Sequence, residues 1–254
     1  MTSASRDSEK PLRVISLGAG VQSTTMALMA DASEVNCAIF ADTGWEPKAV
    51  YDHLTWLEGY LPFPVHRVSR GNLKDAVTSG GFSSVPFYTS VGLGARQCTY
   101  QYKLRPIYRK VRELLGGKTP KGGCEMWVGI STNEMIRMKD ARVQYIKNTF
   151  PLVEWDMSRN DCLKWLKDNG FAQPPRSACL GCPFKLDLEW RDTKNGPQDE
   201  WLATVEADKQ IRLASGKPQF MHRSLKPLDE VDFQTAEDRG QMNFLSECEG
   251  MCGV

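Results

Sequence analysis

A short apolar run followed by a glycine-rich turn constrains the fold of this chain most strongly. Leu12 to Leu17 (LRVISL) has the pattern of a buried strand and runs into Gly18-Ala19-Gly20-Val21-Gln22-Ser23-Thr24-Thr25, then into an apolar helical stretch, Met26 to Ala30. A strand, a tight turn and a helix in this order can hold an anion, because glycine lets backbone N–H groups approach it and the helix N-terminus adds positive potential. Hydroxyl donors can come from Ser16, Ser23 and Thr24. A tight turn without a ligand is the competing interpretation.

Strand and helix patterns then alternate along the chain. Val35 to Phe40, Pro64 to Val68 and Met126 to Ile130 have strand patterns, whereas Tyr51 to Tyr60 and Tyr100 to Leu115 have helical spacing. This alternation predicts an α/β fold with a doubly wound, mostly parallel sheet and helices on both faces.

Local signals indicate how the chain is divided. Residues 71–95 are rich in Gly and Ser, which predicts a long loop, and Ser158 is expected to cap a helix that ends at Gly170. After Gln173 the pattern weakens. We therefore expect a disordered leader (1–10), a nucleotide-binding α/β domain (11–173) and a C-terminal cysteine-containing lobe and tail (174–254) with few regular elements.

Composition and charge exclude some classes of function. Lys+Arg of 32 against Asp+Glu of 31 gives a net charge of +1, so no bulk field attracts nucleic acid. No apolar run approaches the roughly 20 residues of a membrane span, and the polar N-terminus lacks a signal-peptide pattern. We expect a cytoplasmic protein without a membrane partner. The composition does not indicate an oligomeric state.

The eight cysteines indicate metal or redox chemistry more than a disulfide framework in that setting. Cys179-Leu180-Gly181-Cys182-Pro183 is the sharpest feature, since two thiolates separated by two residues can bind one metal ion or two irons of a cluster. Zinc, a redox dithiol and a cluster all remain open on spacing alone. Core or surface thiols are expected at Cys37, Cys124 and Cys162.

Four segments, in order over residues 12 to 185, resemble motifs of the phosphoadenosine-phosphosulfate (PAPS) reductase family. They are Gly18 to Ser23 (GAGVQS), similar to the PP-loop; Asp42-Thr43-Gly44; Cys98-Thr99 with Lys103 and Pro106; and Gly129 to Glu134 with Arg137. Gln22 stands where ATP-cleaving members of the superfamily carry Asp, and Thr99 stands where the family has a second Cys. Variant, PAPS-reductase-like members resemble the chain more closely than the reductase itself.

The resemblance implies a HUP/PP-loop-like fold and an adenine nucleotide, either PAPS or adenosine phosphosulfate (APS), or ATP with Mg²⁺. The nucleotide-binding residues implied are Ser16, Gly18, Gly20, Gln22, Ser23, Thr24, Asp42, Gly44, Lys103, Gly129 and Arg137. It also implies a [4Fe–4S] cluster held by Cys98, Cys179 and Cys182, with Cys248 or Cys252 as a fourth ligand or with one iron open. Glu247-Cys248 resembles the family's nucleophilic tail, so Cys248 and Cys252 are the catalytic candidates; an inert tail is the alternative.

Three functions are compatible with these features. The first is a sulfonucleotide reductase or close relative, with a thiol reductant such as thioredoxin as partner. The second is an ATP-dependent sulfurtransferase that thiolates tRNA, DNA or a small molecule, which Gln22 opposes and the net charge does not support for nucleic acid. The third is a non-catalytic nucleotide-binding module.

Overall fold

The computed structural model describes residues 11–80, 85–117, 122–214, 218–234 and 238. The strands are β1 (Leu12–Leu17), β2 (Cys37–Asp42), β3 (Val65–Ser69), β4 (Tyr88–Thr89), β5 (Gly92–Leu93), β6 (Cys124–Val128) and β7 (Ile146–Thr149). The α-helices are α1 (Val21–Met29), α2 (Lys48–Tyr60), α3 (Leu73–Thr78), α4 (Arg105–Leu114), α5 (Pro151–Glu154), α6 (Arg159–Asp168), α7 (Asp187–Asn195) and α8 (Gln198–Ala214). A π-helical segment spans Thr99–Leu104, and 3₁₀ turns span Thr132–Arg137 and Leu228–Glu230.

The main sheet of the described residues has the strand order β3-β2-β1-β6-β7. β1 pairs in parallel with β2 and with β6, and β6 pairs in parallel with β7. β2 is buried from Cys37 to Ala41, as expected for a strand inside a parallel sheet. The chain winds from β1 to β3 on one side and returns to β6 on the other. The predicted α/β class with a doubly wound, mostly parallel sheet is therefore confirmed.

The described chain divides into two compact units. The first, here called the sheet unit, comprises the described residues of Met1–Ala41, Asp52–Val68 and Pro106–Arg176. The second, the cysteine unit, comprises those of Asp42–Tyr51, Ser69–Arg105 and Ser177–Val254. The predicted domain boundary at residue 174 stays a prediction. The cysteine unit also contains two segments that precede this boundary, Asp42–Tyr51 and Ser69–Arg105.

The cysteine unit has a hydrophobic core of its own, with Trp190, Phe87 and Met221 at its centre. The expectation of few regular elements after residue 174 is wrong, because α7 and α8 lie there. The buried face of α8 contains Thr204 and Asp208, which interrupts the apolar pattern in the sequence. Asp208 is fully buried and accepts hydrogen bonds from main-chain N–H groups later in the chain, at Met221 (3.2 Å) and Leu228 (3.1 Å).

Two further local expectations need correction. The long loop expected over 71–95 contains α3 and, beyond residues 81–84, the antiparallel β4–β5 hairpin. β7 had no sequence signal strong enough to be predicted. Among the described residues, no helix has the length and apolarity needed to cross a bilayer.

The predicted cap of α6 is confirmed and is a reciprocal capping box. The Ser158 hydroxyl accepts from the Asp161 main-chain N–H at 3.2 Å, and the Asp161 carboxylate accepts from the Ser158 N–H at 2.9 Å. These bonds satisfy two N–H groups that would otherwise lack partners at the helix start. The Ser158 hydroxyl also donates to Asp161 Oδ2 at 2.6 Å, and this bond, followed by the one from the Ser158 N–H, holds the pKa of Asp161 below its ordinary value.

Ser158→Ala is expected to lower the free energy of unfolding of the sheet unit by about 1 kcal/mol, because it removes one partner of the capping box. Lys167→Ala is the matched control, since Lys167 is exposed on the same helix. Urea unfolding followed by circular dichroism measures both variants. Equal midpoints for the two variants would contradict the capping assignment.

Candidate functional site

The loop between β1 and α1 is closed by the hydroxyl of Ser23. The main-chain N–H groups of Gly18 and Gly20 both donate to Ser23 Oγ, at 3.2 and 3.3 Å. Ala19 adopts a left-handed conformation with φ of 57°, which turns the chain into the helix. The first helical hydrogen bond runs from Thr24 N to Gly20 O at 2.9 Å, so the N–H groups of residues 21–23 precede it and are placed to bind an anion.

Two predicted hydroxyl donors have different surroundings. Thr24 is 1% exposed and its hydroxyl lies 3.0 Å from His53 Nε2, so the side chain is committed to the interior of the sheet unit. Burial lowers the pKa of His53, which favours the neutral imidazole in this contact. Ser16 lies in β1 in register with Ile39 and Val128.

Gly129 brings the segment after β6 into contact with the loop. A Cβ at this position would lie 2.9 Å from Ser23 N and 3.0 Å from Ser23 Cα, closer than real Cβ atoms approach backbone. Only glycine therefore allows this approach. The contact places the segment from Gly129 to Arg137 beside the start of α1.

Four side chains form a hydrogen-bonded network at the start of α1. The Gln22 amide donates through Nε2 to Glu134 Oε2 at 3.3 Å and accepts through Oε1 from Arg159 Nη1 at 3.1 Å. Arg137 donates to the other oxygen of Glu134, which is buried. Arg137 thus pairs directly with the Glu134 carboxylate, and Arg159 is linked to that carboxylate through Gln22, next to the predicted phosphate loop.

Arg159 was not among the predicted site residues. It occupies the first position of α6, where acidic side chains complement the helix dipole and a cation is unfavourable. An arginine directly after the Ser158 cap is the one feature of the sequence that could have indicated a functional role for Arg159. The partner, Gln22, is 137 positions away, and no local pattern could identify it.

Three of the predicted metal ligands lie together in the cysteine unit. Cys98, Cys179 and Cys182 line one cavity that is open to solvent. The cations Arg96 and Lys103 also line it. Cys98 immediately precedes the π-helical segment that contains Lys103, and such segments occur frequently at functional sites.

The Cys-x-x-Cys turn is held against Trp45. The Leu180 N–H donates to the Trp45 carbonyl at 2.8 Å, and the Cys182 N–H donates to the Cys179 carbonyl at 3.1 Å. A Cβ at Gly181 would overlap the indole ring of Trp45. Trp45 is 4% exposed, so the turn needs glycine at this position to pack as it does.

A buried carboxylate lies beside Cys179. Glu46 Oε1 accepts from the Thr43 hydroxyl at 3.1 Å and from Cys179 Sγ at 3.4 Å, and Lys103 Nζ is 3.5 Å away. Within the described part of the chain, Glu46 Oε2 has no hydrogen-bond partner. Burial and the Glu46 carboxylate raise the pKa of Cys179, while Lys103 acts in the opposite direction.

Asp42 ends β2 and organises the turn that follows. One carboxylate oxygen accepts from the Gly44 N–H and from the Tyr51 hydroxyl, each at 2.7 Å. Gly44 has φ of 68°, a conformation that favours glycine. Burial, followed by the bond to Asp42, raises the pKa of Tyr51. Asp42 and Gly44 thus form one turn at the end of β2.

The cavity was compared with the requirements of a metal ion and of an iron–sulfur cluster. Among the described residues, no three His, Cys, Asp or Glu side chains are grouped closely enough to hold a single ion. A cluster distributes its cysteine ligands over several irons, so thiolates spread around one cavity suit it better. Cys98, Cys179 and Cys182 fit such a group. Cys248 and Cys252 lie outside the described residues.

The remaining described cysteines are interior thiols, as expected. Cys37, Cys124 and Cys162 are buried. Burial raises the pKa of Cys37 to about 11, of Cys124 to about 12 and of Cys162 to about 11. None of the three lines the cavity that contains Cys98, Cys179 and Cys182.

Comparisons with known proteins give a fold-level similarity. No protein-family model matches the sequence, and no curated protein matches it. Among solved structures, the chain is similar to a crystal structure of phosphoadenylyl-sulfate (PAPS) reductase from Candida auris in a phosphate complex. The TM-score is 0.47 and the sequence identity 14%, over 65% of this chain and 76% of that chain. The similarity concerns the fold, and the chemistry has to be argued from this chain's own residues.

Gly181→Ala is expected to lower the free energy of unfolding of the cysteine unit by about 1–3 kcal/mol, because the added methyl group overlaps the Trp45 ring. Gly59→Ala is the matched control: Gly59 lies in α2, and a Cβ there meets no atom within 4 Å. Gly59 lies in the last turn of α2, so the control is expected to be as stable as the wild type or more stable by less than about 1 kcal/mol. Denaturant unfolding followed by tryptophan fluorescence measures both; a Gly181→Ala variant as stable as the control would contradict the packing argument.

Proposed function

We propose that this chain is a PAPS-reductase-like, adenine-nucleotide-binding iron–sulfur enzyme of sulfur metabolism that reduces or transfers the sulfur of an activated sulfonucleotide. The observation that carries the proposal is the grouping of Cys98, Cys179 and Cys182 around one cavity beside Lys103. Cysteine side chains gathered around one cavity beside a cation are typical of redox-active or metal-binding sites and atypical of structural cysteines.

The loop of the sheet unit is the proposed binding site for the anionic part of the nucleotide. The N–H groups of residues 21–23 and the guanidinium of Arg137 supply donors and positive charge. Gly18, Gly20 and Ser23 shape the loop. Asp42 and Gly44, at the end of β2, are the proposed contacts to a ribose hydroxyl or an adenine amine.

A [4Fe–4S] cluster is the proposed cofactor, with Cys98, Cys179 and Cys182 as ligands. When bound, it supplies redox-capable iron and a strong local charge. Lys103 and Arg96 would offset the charge of the three thiolates. Thr99 follows Cys98 directly, so the described chain offers no adjacent fourth thiolate, and Cys248 remains the proposed fourth ligand if one is present.

In the reductase reaction, a thiolate of the tail, Cys248 or Cys252, attacks the sulfur of the sulfonucleotide. The sulfur–oxygen bond to the nucleotide breaks, and the adenosine phosphate leaves with that electron pair. A dithiol reductant such as thioredoxin then supplies an electron pair and becomes a disulfide, which releases sulfite and restores the thiol. In these steps the sulfonucleotide sulfur is reduced to sulfite and the dithiol is oxidised to a disulfide, so no other oxidant or reductant is needed.

ATP-dependent sulfur transfer is the second candidate. It is favoured by one observation: three cysteines line the cavity, and a threonine follows the first of them. ATP would adenylate an acceptor oxygen in tRNA, DNA or a small molecule before sulfur replaces it. The Gln22 network opposes this candidate, because it contains no carboxylate that is left to hold Mg²⁺ in the described contacts.

Parallel incubation of anaerobically purified protein with PAPS, APS and ATP·Mg²⁺, in the presence of a dithiol reductant, distinguishes these functions. Sulfite together with an adenosine phosphate is the expected result. AMP and pyrophosphate from ATP, without sulfite, would replace the reductase proposal by adenylation-dependent sulfur transfer. Binding of nucleotide without any product would leave the non-catalytic module.

The double variant Cys179→Ser/Cys182→Ser is expected to lose bound iron, because it removes two of three proposed ligands. Cys162→Ala is the control, since it removes a buried thiol of the sheet unit. Iron and acid-labile sulfide per chain, with the absorption spectrum of the anaerobic protein, measure the effect. Unchanged iron in the double variant would overturn the cluster assignment without bearing on nucleotide binding.

A further inference from the structure

The side-chain amide of Gln22 has one possible orientation in its network. Its NH₂ end faces the carboxylate of Glu134, and its oxygen faces the guanidinium of Arg159. The reverse orientation would place a donor against a donor and an acceptor against an acceptor. Gln22 therefore couples the position of Arg159 to the start of α1.

The network carries a net positive charge beside the loop. Arg137 and Arg159 contribute two positive charges and the buried Glu134 one negative charge. Within these four side chains, the single negative charge of Glu134 offsets one of the two positive charges.

Arg159 is held at both its backbone and its side chain. Its main-chain N–H donates to Asn133 Oδ1 at 3.0 Å, and one terminal nitrogen of its guanidinium donates to Gln22. A guanidinium has several N–H donors in a rigid fork, and the bond to Gln22 uses one of them. The remaining donors suit the oxygens of a phosphate or sulfate group.

The segment from Gly129 to Arg137 also contains a buried hydroxyl. Ser131, three residues before Glu134, is fully buried, and its hydroxyl has no hydrogen-bond partner among the described residues. A buried hydroxyl without a partner costs free energy unless something absent from the polypeptide satisfies it. Ser131 follows Gly129 and Ile130, and Gly129 is in contact with Ser23.

We infer that Arg159 is an anion-binding residue of the loop, that Gln22 positions it, and that together they bind the phosphate or sulfate end of the nucleotide. This rests on the proposed function, in that the loop is taken as the nucleotide site. Arg159 supplies a full positive charge, which the N–H groups of α1 lack. Binding of an anion would explain why a cation is kept at the start of α6, where it is unfavourable for the helix dipole.

Isothermal titration of APS, and separately of inorganic pyrophosphate, into the purified full chain tests the inference. Arg159→Met is expected to weaken APS binding by about 10- to 100-fold, the usual contribution of a hydrogen bond to a charged group. Lys167→Met is the matched control: it removes the same charge from an exposed position of the same helix, and APS affinity should be unchanged.

Gln22→Leu tests the positioning role. It removes both hydrogen bonds of the amide and leaves the charge of Arg159 in place, so a smaller loss of affinity is expected. Because Gln22 acts through Arg159, the double variant Gln22→Leu/Arg159→Met should bind APS no more weakly than Arg159→Met alone. A purely structural effect would instead be additive and would lower the melting temperature in parallel.

Each outcome decides between the inference and the proposed function. If wild-type protein binds APS and Arg159→Met binds it equally well, or the two substitutions are additive, the inference is wrong and the proposed function stands. If wild-type protein binds pyrophosphate in an Arg159-dependent manner but no nucleotide, the anion site stands and the proposed function fails. Absence of binding to either probe would overturn both.

Discussion

The pairing of β1 with β2 on one side and with β6 on the other is the constraint on which the loop site depends. Since all three strands are parallel, their carboxyl ends lie at one edge, and the chain leaves β1 and β6 at a point where the winding direction reverses. The close approach of Gly129 to Ser23 follows from this arrangement. It aligns Glu134 and Arg137, which are distant in sequence, with the start of α1.

Each unit contains a buried glutamate, and the two differ in how many of their carboxylate oxygens have hydrogen-bond partners. Glu134, in the sheet unit, has both oxygens bonded, so it acts as a scaffold for the side chains of Gln22 and Arg137. Glu46, in the cysteine unit, concentrates its described contacts on one oxygen and leaves the other without a partner. An unpartnered buried carboxylate oxygen is costly. Glu46 contacts Cys179 and Lys103, two side chains that line the cavity of the cysteine unit.

The sequence predicted those parts of the site that depend on local chemistry. The strand and turn at Leu12–Gly20 and the Ser158 cap follow from local patterns, whereas the sequence left Cys37, Cys124 and Cys162 as core or surface thiols. The Gln22–Arg159 bond does not, because it joins residues 137 positions apart. The burial of Glu46 is equally invisible, since a glutamate three residues after a turn is normally solvated.

α8 illustrates the same limit for the fold. Its buried face includes Asp208, which the sequence marks as polar and which is stable inside because it accepts hydrogen bonds from main-chain N–H groups of a later segment and pairs with Arg212 at 3.0 Å. The hydrogen bonds that make a buried aspartate stable are formed only in the folded chain. A polar residue at a buried position interrupts the apolar periodicity on which helix prediction relies.

The neighbours of Gln22 explain why this position differs from the carboxylate of the ATP-cleaving proteins that the loop resembles. An aspartate or glutamate here would face Glu134, a lysine or arginine would face Arg159, and an apolar side chain would leave both without a partner. An uncharged amide is the side chain that satisfies a carboxylate and a guanidinium together. Under the proposed function, Gln22 replaces a carboxylate suited to holding a cation by an amide that positions Arg159, a side chain suited to holding an anion. That exchange favours a substrate recognised through its own negative charge over one presented by a divalent metal ion.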